Sequence, residues 1–385
     1  MLPLSSVGIR GYRSVRHLTM PIEVCSVFVG ANGVGKTNLY NALAKLQAAA
    51  DGRISHAIAQ EGGIESVLWA GPRRRGQPVR IMLRAEFGEL EFGGADGLGF
   101  TYEIELGLPR PTDAAFSIEP LVKLERLSSS HASGSRGRQS TIMMERKGPA
   151  VSLRDEMGKR VTYGDAVLPS ETALAAFRDA VRYPELEAVR REMLDWWFYH
   201  DFRTDAASPI RAPCNAITTP TLAPDGHNLA AVLATLFQIR QDTSEIDAAI
   251  ADAFPGSTLW AGDVGSSCRF ELTFPDMPRP FQPHELSDGT LKYLCLLGAL
   301  MGYRLPALVA INEPEASLHP DLLEPLARLI ARSAYRTQIW VVTHSETLSS
   351  ALEAELGARV RRVVKTDGAT EIEGLTLAGD WREDG

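Results

Sequence analysis

A glycine-rich segment near the N-terminus has the residue types and the spacing that hold a phosphate chain. It reads GANGVGKT over residues 30–37, and it lies between an apolar run, VCSVFV, and a helix-like stretch, NLYNALAKLQAAA. The backbone N–H groups of such a loop wrap phosphate oxygens at a helix N-terminus. Lys36 then reaches the terminal phosphates, and the Thr37 hydroxyl binds Mg²⁺. The pattern predicts a nucleotide site, against the alternative of a chance glycine loop.

A second segment, ELSDGTLKYLCLL over residues 285–297, combines a small polar turn with an apolar helix. Backbone donors and the helix dipole at such a turn attract an anion, which favours a second phosphate-binding element. The alternative is an ordinary helix cap made by Ser287 or Asp288. Because the segment comes just upstream of a buried apolar strand, we favour the phosphate-binding interpretation.

Two apolar runs near the C-terminus end in residues of the types that can act on phosphoryl groups. LPALVAINEPEASLHP, residues 305–320, carries Glu313 at the end of its apolar part, and QIWVVTH ends at His344. At the carboxyl ends of neighbouring parallel strands, both side chains would face the crevice where ligands bind. Glu313 could orient a water molecule, and His344 could donate a hydrogen bond to a phosphoryl oxygen. The alternatives are a solvated strand end and a satisfied strand-end histidine.

Asn312 stands before Glu313, at a position where nucleotide-binding strands of this kind usually carry aspartate. An amide oxygen accepts a hydrogen bond from a metal-bound water, but it supplies no negative charge. Mg²⁺ keeps several waters and needs few carboxylates. We therefore predict that hydrolysis is retained but slow.

The elements that position these residues follow from hydrophobic patterning. The opening segment and VCSVFVG predict two short strands joined by a polar turn, the second of them buried. Alternation of β-branched or aromatic residues with charged ones predicts further strands in VRIMLRAEF, FTYEIELGL, PLVKLERL and TIMMERK. The segment SSSHASGSRGRQS, residues 128–140, has the composition of a flexible loop.

Residues 170–199 change to helical spacing, which predicts a short helical insertion interrupted by Pro184. The apolar positions are Leu174, Phe177, Val181, Leu186, Val189, Met193 and Trp196. The segment is too short for an extended coiled-coil arm. After residue 226, helix and strand patterns alternate and end in the two buried strands ALVAIN and QIWVVTH.

The bulk properties are those of an ordinary soluble chain. It has 385 residues, 44% hydrophobic and 23% charged, and a formal charge of −8, which excludes a uniformly basic surface. Its four cysteines lack C-x-x-C spacing, so we interpret them as reduced, structural residues. The chain shows no secretion signal and no 18-residue apolar run, so we expect a cytoplasmic protein without a membrane segment.

The order of these motifs resembles that of ATPases of the ABC superfamily. Within it, the chain is similar to the RecF and structural-maintenance-of-chromosomes (SMC) branch, and to bacterial AAA-family ATPases with an EPE…LHP segment. FYHDFRTD (198–205) and PDGHNLAAVLATL (224–236) also match that bacterial group, whereas the likeness is weak over residues 90–170. The resemblance implies an α/β fold, an ABC-type P-loop ATPase head with a mixed sheet, an antiparallel β lobe and a short helical insertion in place of a long coiled coil.

The resemblance also implies a division of the chain and a set of site residues. Residues 1–165 and 221–385 would form the two halves of the head, with residues 166–220 as the helical insertion. Glu313 matches the general base, His344 the switch histidine, and Thr37 and Asn312 the metal site. The residues expected to bind ATP are Gly30, Asn32, Gly33, Gly35, Lys36, Thr37, Asn38, Arg13 and Ser14.

Two such chains would sandwich two ATP molecules, so the resemblance implies a homodimer. Ser287 and Gly289 would then contact the γ-phosphate bound to the second subunit, and Ser317 to His319 stand where a residue commonly crosses the dimer interface. For Arg13, an exposed turn arginine is an equal alternative. Gln60 and Gln77 are both candidates for the glutamine that couples the metal to the insertion.

Two further features have a functional and a plain interpretation. Arg73 to Arg75 could contact a nucleic-acid backbone, although we favour a solvated loop. The aromatic run from Trp196 to Tyr199 could stack on bases, although we favour core packing.

The function implied is an ATP-hydrolysing dimer that acts in DNA repair and maintenance or in antiviral (anti-phage) defence. The alternative is a regulatory sensor or scaffold ATPase that controls a separately encoded effector such as a Toprim nuclease, because little sequence follows His344. A transporter subunit is disfavoured by GYRSV and EPEASLHP. A small-molecule kinase is disfavoured because it would not need the additional motifs.

Overall fold

The fold comes from a computed structural model of the whole chain. The structure describes residues 2–73, 76, 79–88, 98–109, 116, 118–132, 138–239, 243–357, 359–376 and 379.

Strands and helices alternate along the described chain. The strands are β1 (Leu4–Tyr12), β2 (Val15–Pro21), β3 (Cys25–Val29), β4 (Arg80–Phe87), β5 (Leu98–Gly107), β6 (Leu121–Ala132), β7 (Arg138–Lys147), β8 (Ala150–Arg154), β9 (Arg160–Tyr163), β10 (Trp196–Tyr199), β11 (Cys214–Asn215), β12 (Thr258–Val264), β13 (Ser267–Thr273), β14 (Leu308–Asn312), β15 (Gln338–Thr343), β16 (Val360–Thr366) and β17 (Ala369–Ile372). The helices are α1 (Lys36–Asp51), α2 (Ile54–Ala59), α3 (Ile64–Val67), α4 (Ala173–Ala176), α5 (Pro184–Leu194), α6 (Leu229–Ile239), α7 (Ser244–Ala253), α8 (Asp288–Met301), α9 (Leu323–Ala334) and α10 (Glu346–Leu356).

The chain forms two compact units, of which the first comprises residues 1–23, 30–196 and 362–385. Its main sheet has the strand order β2-β1-β4-β5-β6-β7-β8-β9, and every pair in it is antiparallel. Helix α1 packs against β1, β4, α4 and α5. Sequential antiparallel strands need only short connections, so the expected antiparallel β lobe follows from the alternating patterns of this region.

The second unit comprises residues 24–29 and 197–361. Its strands lie in the order β10-β14-β15-β3, with β14, β15 and β3 parallel to one another. All residues of these three parallel strands are buried, as expected for a parallel sheet covered on both faces. A smaller sheet, β11-β13-β12, belongs to the same unit. The register pairs Asn312 with Val342 and Thr343 with Val29, so the three strands end at the same edge.

The structure corrects several predicted elements. The opening segment forms two strands, β1 and β2, which pair through a tight turn at Arg13 and Ser14, so three strands precede α1 instead of two. Residues 128–132 and 138–140 of the predicted flexible loop continue β6 and β7, because the two strands pair as far as Ala132 and Arg138. The rest of that loop, residues 133–137, lies outside the described residues.

The predicted helical insertion is also shorter than its spacing suggested. Val181 is 83% exposed and lies outside the helices, and Trp196 begins the strand β10. Pro184 occupies the first turn of α5 and so starts a helix rather than interrupting one. Within the described residues the longest helix is α1, with 16 residues, and no helix is long and apolar enough to cross a membrane.

The core interpretation of the aromatic run is confirmed for its two ends. Trp196 is 2% exposed and its ring lies 6.1 Å from that of Phe87, while Tyr199 is 1% exposed. The Tyr199 hydroxyl donates to the Leu222 carbonyl at 2.8 Å, and its ring packs against that of Phe202. The division into residues 1–165, 166–220 and 221–385 stays a prediction.

Candidate nucleotide site

The glycine-rich loop of the first unit folds around the ammonium group of its own lysine, Lys36. Helix α1 begins at Lys36, whose side chain is almost fully buried. Its ammonium donates to the Gly30 carbonyl at 2.6 Å and to the Ala31 carbonyl at 2.9 Å. A buried ammonium is costly unless it is hydrogen-bonded. The loop therefore holds a positive charge beside the N-terminus of a helix, which is where an anion is best stabilised.

The loop backbone requires its glycines for different reasons. Gly33 and Gly35 have φ of 81° and 104°, a region that L side chains rarely adopt. A Cβ on Gly35 would lie 2.0 Å from Thr370 Oγ1 and 2.5 Å from Ser14 Oγ, and a Cβ on Gly30 would lie 2.4 Å from the Val363 carbonyl oxygen. No heavy atom lies within 4 Å of a Cβ built on Gly33. Other parts of the first unit therefore pack closely against the loop at Gly30 and Gly35, whereas the space beside Gly33 is open.

A hydroxyl network supports the loop. Asn38 Nδ2 donates to Ser14 Oγ at 2.6 Å, and Ser14 Oγ lies 2.7 Å from Thr370 Oγ1. Thr370 Oγ1 in turn donates to the Val34 carbonyl at 2.7 Å. Of the residues predicted to bind ATP, Ser14 and Asn38 therefore hold the shape of the loop in this structure. Their direct contact with a nucleotide stays a prediction.

The remaining predicted ligands differ in their surroundings. Asn32 and Thr37 are exposed, and within the described residues the Thr37 hydroxyl has no protein partner, which suits a magnesium ligand. Arg13, in the left-handed backbone region at φ 47°, pairs with Glu61 at 2.6 Å. That ion pair occupies part of the guanidinium, so a nucleotide contact by Arg13 also stays a prediction.

In the second unit, Asn312 ends β14 in a buried position, 2% exposed. Its amide nitrogen lies 2.7 Å from His200 Nδ1. Its oxygen, Oδ1, is buried and has no hydrogen-bond partner among the described residues. An unpaired buried acceptor is costly, so a donor such as a metal-bound water would stabilise this arrangement. The amide therefore fits the role of accepting from a water of Mg²⁺.

Glu313 follows in a strained backbone conformation, with φ of 49°. Its N–H donates to the Val342 carbonyl at 2.7 Å, and its carbonyl accepts from Lys292 Nζ at 3.3 Å. Among the described residues its carboxylate has no hydrogen-bond partner, which leaves it available to a water molecule. Lys292 is buried; burial lowers the pKa of its ammonium, and the carboxylates of Asp201, Glu315 and Glu313 act in the opposite direction.

Glu315, which the sequence did not single out, holds the segment after β15. Its Oε1 accepts from the Thr343 hydroxyl at 2.6 Å and from the backbone N–H groups of His344 and Ser345 at 2.8 and 3.2 Å. His344 Nδ1 lies 3.0 Å from the same oxygen. With Nδ1 donating to Glu315, donation from Nε2 to a phosphoryl oxygen requires the imidazolium form, in which both nitrogens carry hydrogen. Glu315 therefore orients the predicted switch histidine.

Replacing Glu315 with alanine is expected to cost about 3 kcal/mol of unfolding free energy, because it leaves buried donors unpaired. Glutamine keeps one acceptor oxygen and should cost about 1 kcal/mol. Urea unfolding measures both values, with Glu353→Ala on the exposed face of α10 as the matched control. Equal stability of the alanine variant and the wild type would contradict the assigned network.

Ser287 and Gly289 of the segment ELSDGTLKYLCLL, here called the signature segment, lie at the start of α8. Ser287 caps the helix by accepting from the Thr290 N–H at 3.1 Å, so the capping alternative raised by the sequence is present. A Cβ on Gly289 would lie 2.8 Å from the Ser317 carbonyl oxygen, so only glycine allows this close approach. Ser317 itself has φ of 65°, and His319 caps the 3₁₀ helix Pro320–Leu322. The N-terminus of α8 is thereby fixed against the loop after Glu313.

Arg211 anchors the signature segment from a distant part of the chain. One terminal nitrogen, Nη1, donates to the Leu286 carbonyl at 2.8 Å and the Pro283 carbonyl at 3.0 Å. The other, Nη2, donates to Asp288 Oδ1 at 2.7 Å. This fork of donors fixes the turn that precedes α8.

Four residues that this geometry brings out received no role from the sequence: His200, Arg211, Lys292 and Glu315. Lys292 offered the clearest signal, since a lysine inside the apolar run LKYLCLL is unusual. Glu315 lies in the segment EPE and His200 in FYHD, but neither segment indicates which residue its side chain contacts in the fold.

The other candidates give mixed outcomes. Gln60 is exposed and its Nε2 lies 3.0 Å from His56 Nε2, while Gln77 lies outside the described residues, as do Arg74 and Arg75.

Arg73 donates to the Trp69 carbonyl at 2.7 Å. It also lines a cavity of about 520 Å³ in the first unit. The charged residues that line this cavity are Arg10, Arg16, Arg73, Arg80, Glu105, Asp367 and Glu371.

Comparisons with known proteins bear on the fold of the chain. A family model described as "AAA domain, putative AbiEii toxin, Type IV TA system" matches residues 166–350. The chain is similar to a solved SMC head bound to the C-terminal winged-helix domain of ScpA, at 13% identity and a TM-score of 0.56, covering 98% of this chain and 99% of that one. It is also similar to an SMC head with an extended coiled coil from Pyrococcus furiosus, bound to the C-terminal domain of ScpA, at 13% identity and a TM-score of 0.51, covering 98% and 97%. The search of curated proteins gives no match.

At these identities the likeness shows the fold, which is that of an SMC-type ATPase head over nearly the whole chain. The SMC-like head fold expected from the sequence is thereby confirmed, as is its mixed α/β class.

Proposed function

We propose that the chain binds ATP with Mg²⁺ at residues 30–37 and hydrolyses it slowly, with Glu313 as the general base. The observation that carries this proposal is the Glu313 carboxylate, which has no hydrogen-bond partner among the described residues and follows β14 in a strained backbone position. His344, which Glu315 holds, follows the neighbouring parallel strand β15. Strain of this kind concentrates at functional sites. Strand β3 ends beside Thr343, and the glycine-rich loop begins at the next residue.

Each side chain has a defined task in this proposal. The loop N–H groups and Lys36 would bind the phosphates, the Thr37 hydroxyl would coordinate Mg²⁺, and Asn312 would accept a hydrogen bond from one of its waters. The metal would supply positive charge to the phosphoryl oxygens. Glu313 accepts the proton of the attacking water, and His344 donates to a phosphoryl oxygen as the negative charge develops. Among the described residues no group of three acidic, histidine or cysteine side chains could hold a metal ion, which suits an ion that keeps most of its waters.

The proposal includes dimerisation on ATP, with Ser287 and Gly289 of one chain at the γ-phosphate bound to the other. The exposed hydroxyl of Ser287 at a helix N-terminus and the small Gly289 support this role. Light scattering of the purified chain with ATP and without nucleotide tests it. A mass that stays the same in both conditions would exclude an ATP-dependent sandwich.

The biological setting that we propose is DNA maintenance or phage defence in the cytoplasm. The cavity of the first unit is lined by four arginines and three carboxylates, of which Arg80 pairs with Glu105. Arg10 and Arg16 form no ion pair among the described residues, which supports a nucleic-acid contact at these two arginines. DNA binding should then weaken steeply with salt, and Arg16→Gln should weaken it for every DNA sequence alike. DNA binding that is unchanged in this variant would remove the cavity from the proposal.

A second candidate function is a regulatory ATPase that controls a separately encoded effector. The solved SMC heads that share this fold are bound to another protein, which supports a partner for this chain as well. Copurification from the native cell separates the two: a nuclease partner would favour the regulatory function, and a membrane permease would contradict both.

Replacing Asn312 with aspartate is expected to lower the Mg²⁺ concentration needed for half-maximal ATP turnover by about fivefold. A charged acceptor binds a metal-bound water about 1 kcal/mol more strongly than an amide. ATP turnover measured across a magnesium titration tests this, with EDTA expected to abolish turnover in both proteins. Asn312→Leu serves as the control that removes the acceptor. The same magnesium dependence in wild type and Asn312→Asp would remove Asn312 from the metal site.

A further inference from the structure

Two cysteines of the second unit lie directly opposite each other on adjacent antiparallel strands. Cys214 of β11 pairs with Cys268 of β13, and Asn215 pairs with Ser267. Residues opposite each other on antiparallel strands have Cα atoms about 4.5–5.5 Å apart and side chains on the same face. A disulfide spans Cα distances of about 4.4–6.8 Å. The strand pairing therefore places the two Cα atoms at a separation that a disulfide can span, and both cysteines are free in this structure.

The surroundings of the two thiols differ in a way that gives them different roles. Cys214 is partly exposed, so an oxidant can reach it, while Cys268 is 5% exposed. Burial raises the pKa of the Cys268 thiol, and the neighbouring Cys214 and Asp263 raise it further. Because an oxidant can reach Cys214 and not Cys268, Cys214 is the thiol that reacts first.

The other two cysteines provide an internal contrast. Cys25 on β3 is 3% exposed and pairs with Ile339, and Cys295 within α8 is fully buried. Burial raises the pKa of the Cys295 thiol. Neither has an accessible thiolate, so oxidation should be selective for the pair on β11 and β13.

We propose that Cys214 and Cys268 form a reversible disulfide that fixes the signature segment through Arg211. With hydrogen peroxide as oxidant, the Cys214 thiolate attacks one peroxide oxygen, which gives a sulfenic acid and hydroxide. The Cys268 sulfur then attacks the Cys214 sulfur, the S–S bond forms and the sulfenic oxygen leaves as water with the Cys268 proton. In total, two thiols and one peroxide give one disulfide and two waters.

The consequence for the site follows from chain connectivity. Arg211 precedes Cys214 by only three residues and holds Leu286 and Asp288 at the start of α8. In the reduced state the segment that carries Arg211 is attached to β13 by the two-residue strand β11. A covalent bond at Cys214 restricts the segment, so the Arg211 contacts open less often. The effect on ATP turnover rests on the proposed function, whereas disulfide formation does not.

Counting thiols tests the bond itself. Reduced protein, denatured and titrated, should give four thiols, since the chain contains four cysteines. After peroxide treatment of the native protein, two should remain, and a peptide map should join the Cys214 peptide to the Cys268 peptide. Cys214→Ser should keep three thiols before and after treatment, and Cys268→Ser is the second single variant. Four remaining thiols, or a bond to Cys25 or Cys295, would overturn the proposal.

Hydrogen exchange tests the link to the signature segment without using ATP. Amides of residues 210–216 and 286–290 should exchange more slowly in the oxidised protein and return to the original rate after dithiothreitol. Cys214→Ser should show no change on oxidation. A disulfide that forms but leaves the exchange of residues 286–290 unaltered would overturn the coupling. Since neither readout involves nucleotide, a failure of the proposed ATPase function would be seen separately, as absent ATP turnover.

Discussion

The variant Glu313→Gln is expected to lose ATP turnover by about 10²–10⁴-fold while it still binds ATP, because general-base catalysis contributes that much. Glutamine has the size of glutamate, but it cannot accept the proton of the attacking water at neutral pH. The backbone contacts of residue 313, to Val342 and Lys292, do not involve the carboxylate and should be kept. Phosphate release measures turnover, and equilibrium dialysis measures ATP binding.

A second consequence concerns the dimer. If hydrolysis reopens the ATP sandwich, Glu313→Gln should accumulate as an ATP-bound dimer, which size-exclusion chromatography with light scattering would detect. Glu353→Gln, an exposed glutamate on α10, is the matched control and should turn over ATP at the wild-type rate. If Glu313→Gln neither slows hydrolysis nor stabilises the dimer, the assigned mechanism is wrong.

The variant Lys36→Met is expected to bind ATP about a hundredfold more weakly than wild type. Two hydrogen bonds from the Lys36 ammonium hold the carbonyls of Gly30 and Ala31, and the same cation is expected to reach the terminal phosphates. Loss of charge-assisted hydrogen bonds worth about 3 kcal/mol corresponds to this factor. Methionine fills most of the space of the lysine stem, so packing beside α1 should be retained.

Isothermal titration with ATP and Mg²⁺ measures the affinity of Lys36→Met. The matched control is Lys159→Met, which removes an exposed lysine of the same unit. A thermal unfolding curve for both variants separates weak binding from a misfolded loop. Wild-type affinity in a folded Lys36→Met variant would show that residues 30–37 are not the phosphate site.

The local elements of the site could be predicted because their causes are local. Gly33 and Gly35 both have positive φ, which favours glycine, and the spacing of glycines in GANGVGKT predicts this conformation. The apolar runs of β14 and β15 are buried over their whole length, as continuous hydrophobicity predicts. The extent of the helical insertion was predicted less well, since helical spacing at Val181 and Trp196 also fits an exposed loop and a strand.

The side-chain contacts that hold the site residues in place could not be predicted, because the residues that make them are far apart in the chain. Ser14 and Thr370 meet across 356 positions, and Asn312 and His200 across 112. The role of Glu315 depends on the parallel register of β14 and β15, which places it beside the turn after Thr343. Pairing register is decided by the whole sheet and leaves no periodic signal in either segment.

The sequence by itself determined the candidate site residues: a glycine loop with Lys36 and Thr37, a capped signature helix, and a carboxylate and a histidine at the ends of buried strands. These features rest on backbone conformation and hydrophobic periodicity, which short segments encode. Only the tertiary structure decided which side chains contact them, namely Glu315 at His344, Lys292 at the Glu313 carbonyl and Arg211 at the signature turn. The same is true of Cys214 and Cys268, which face each other because two distant strands pair in one register.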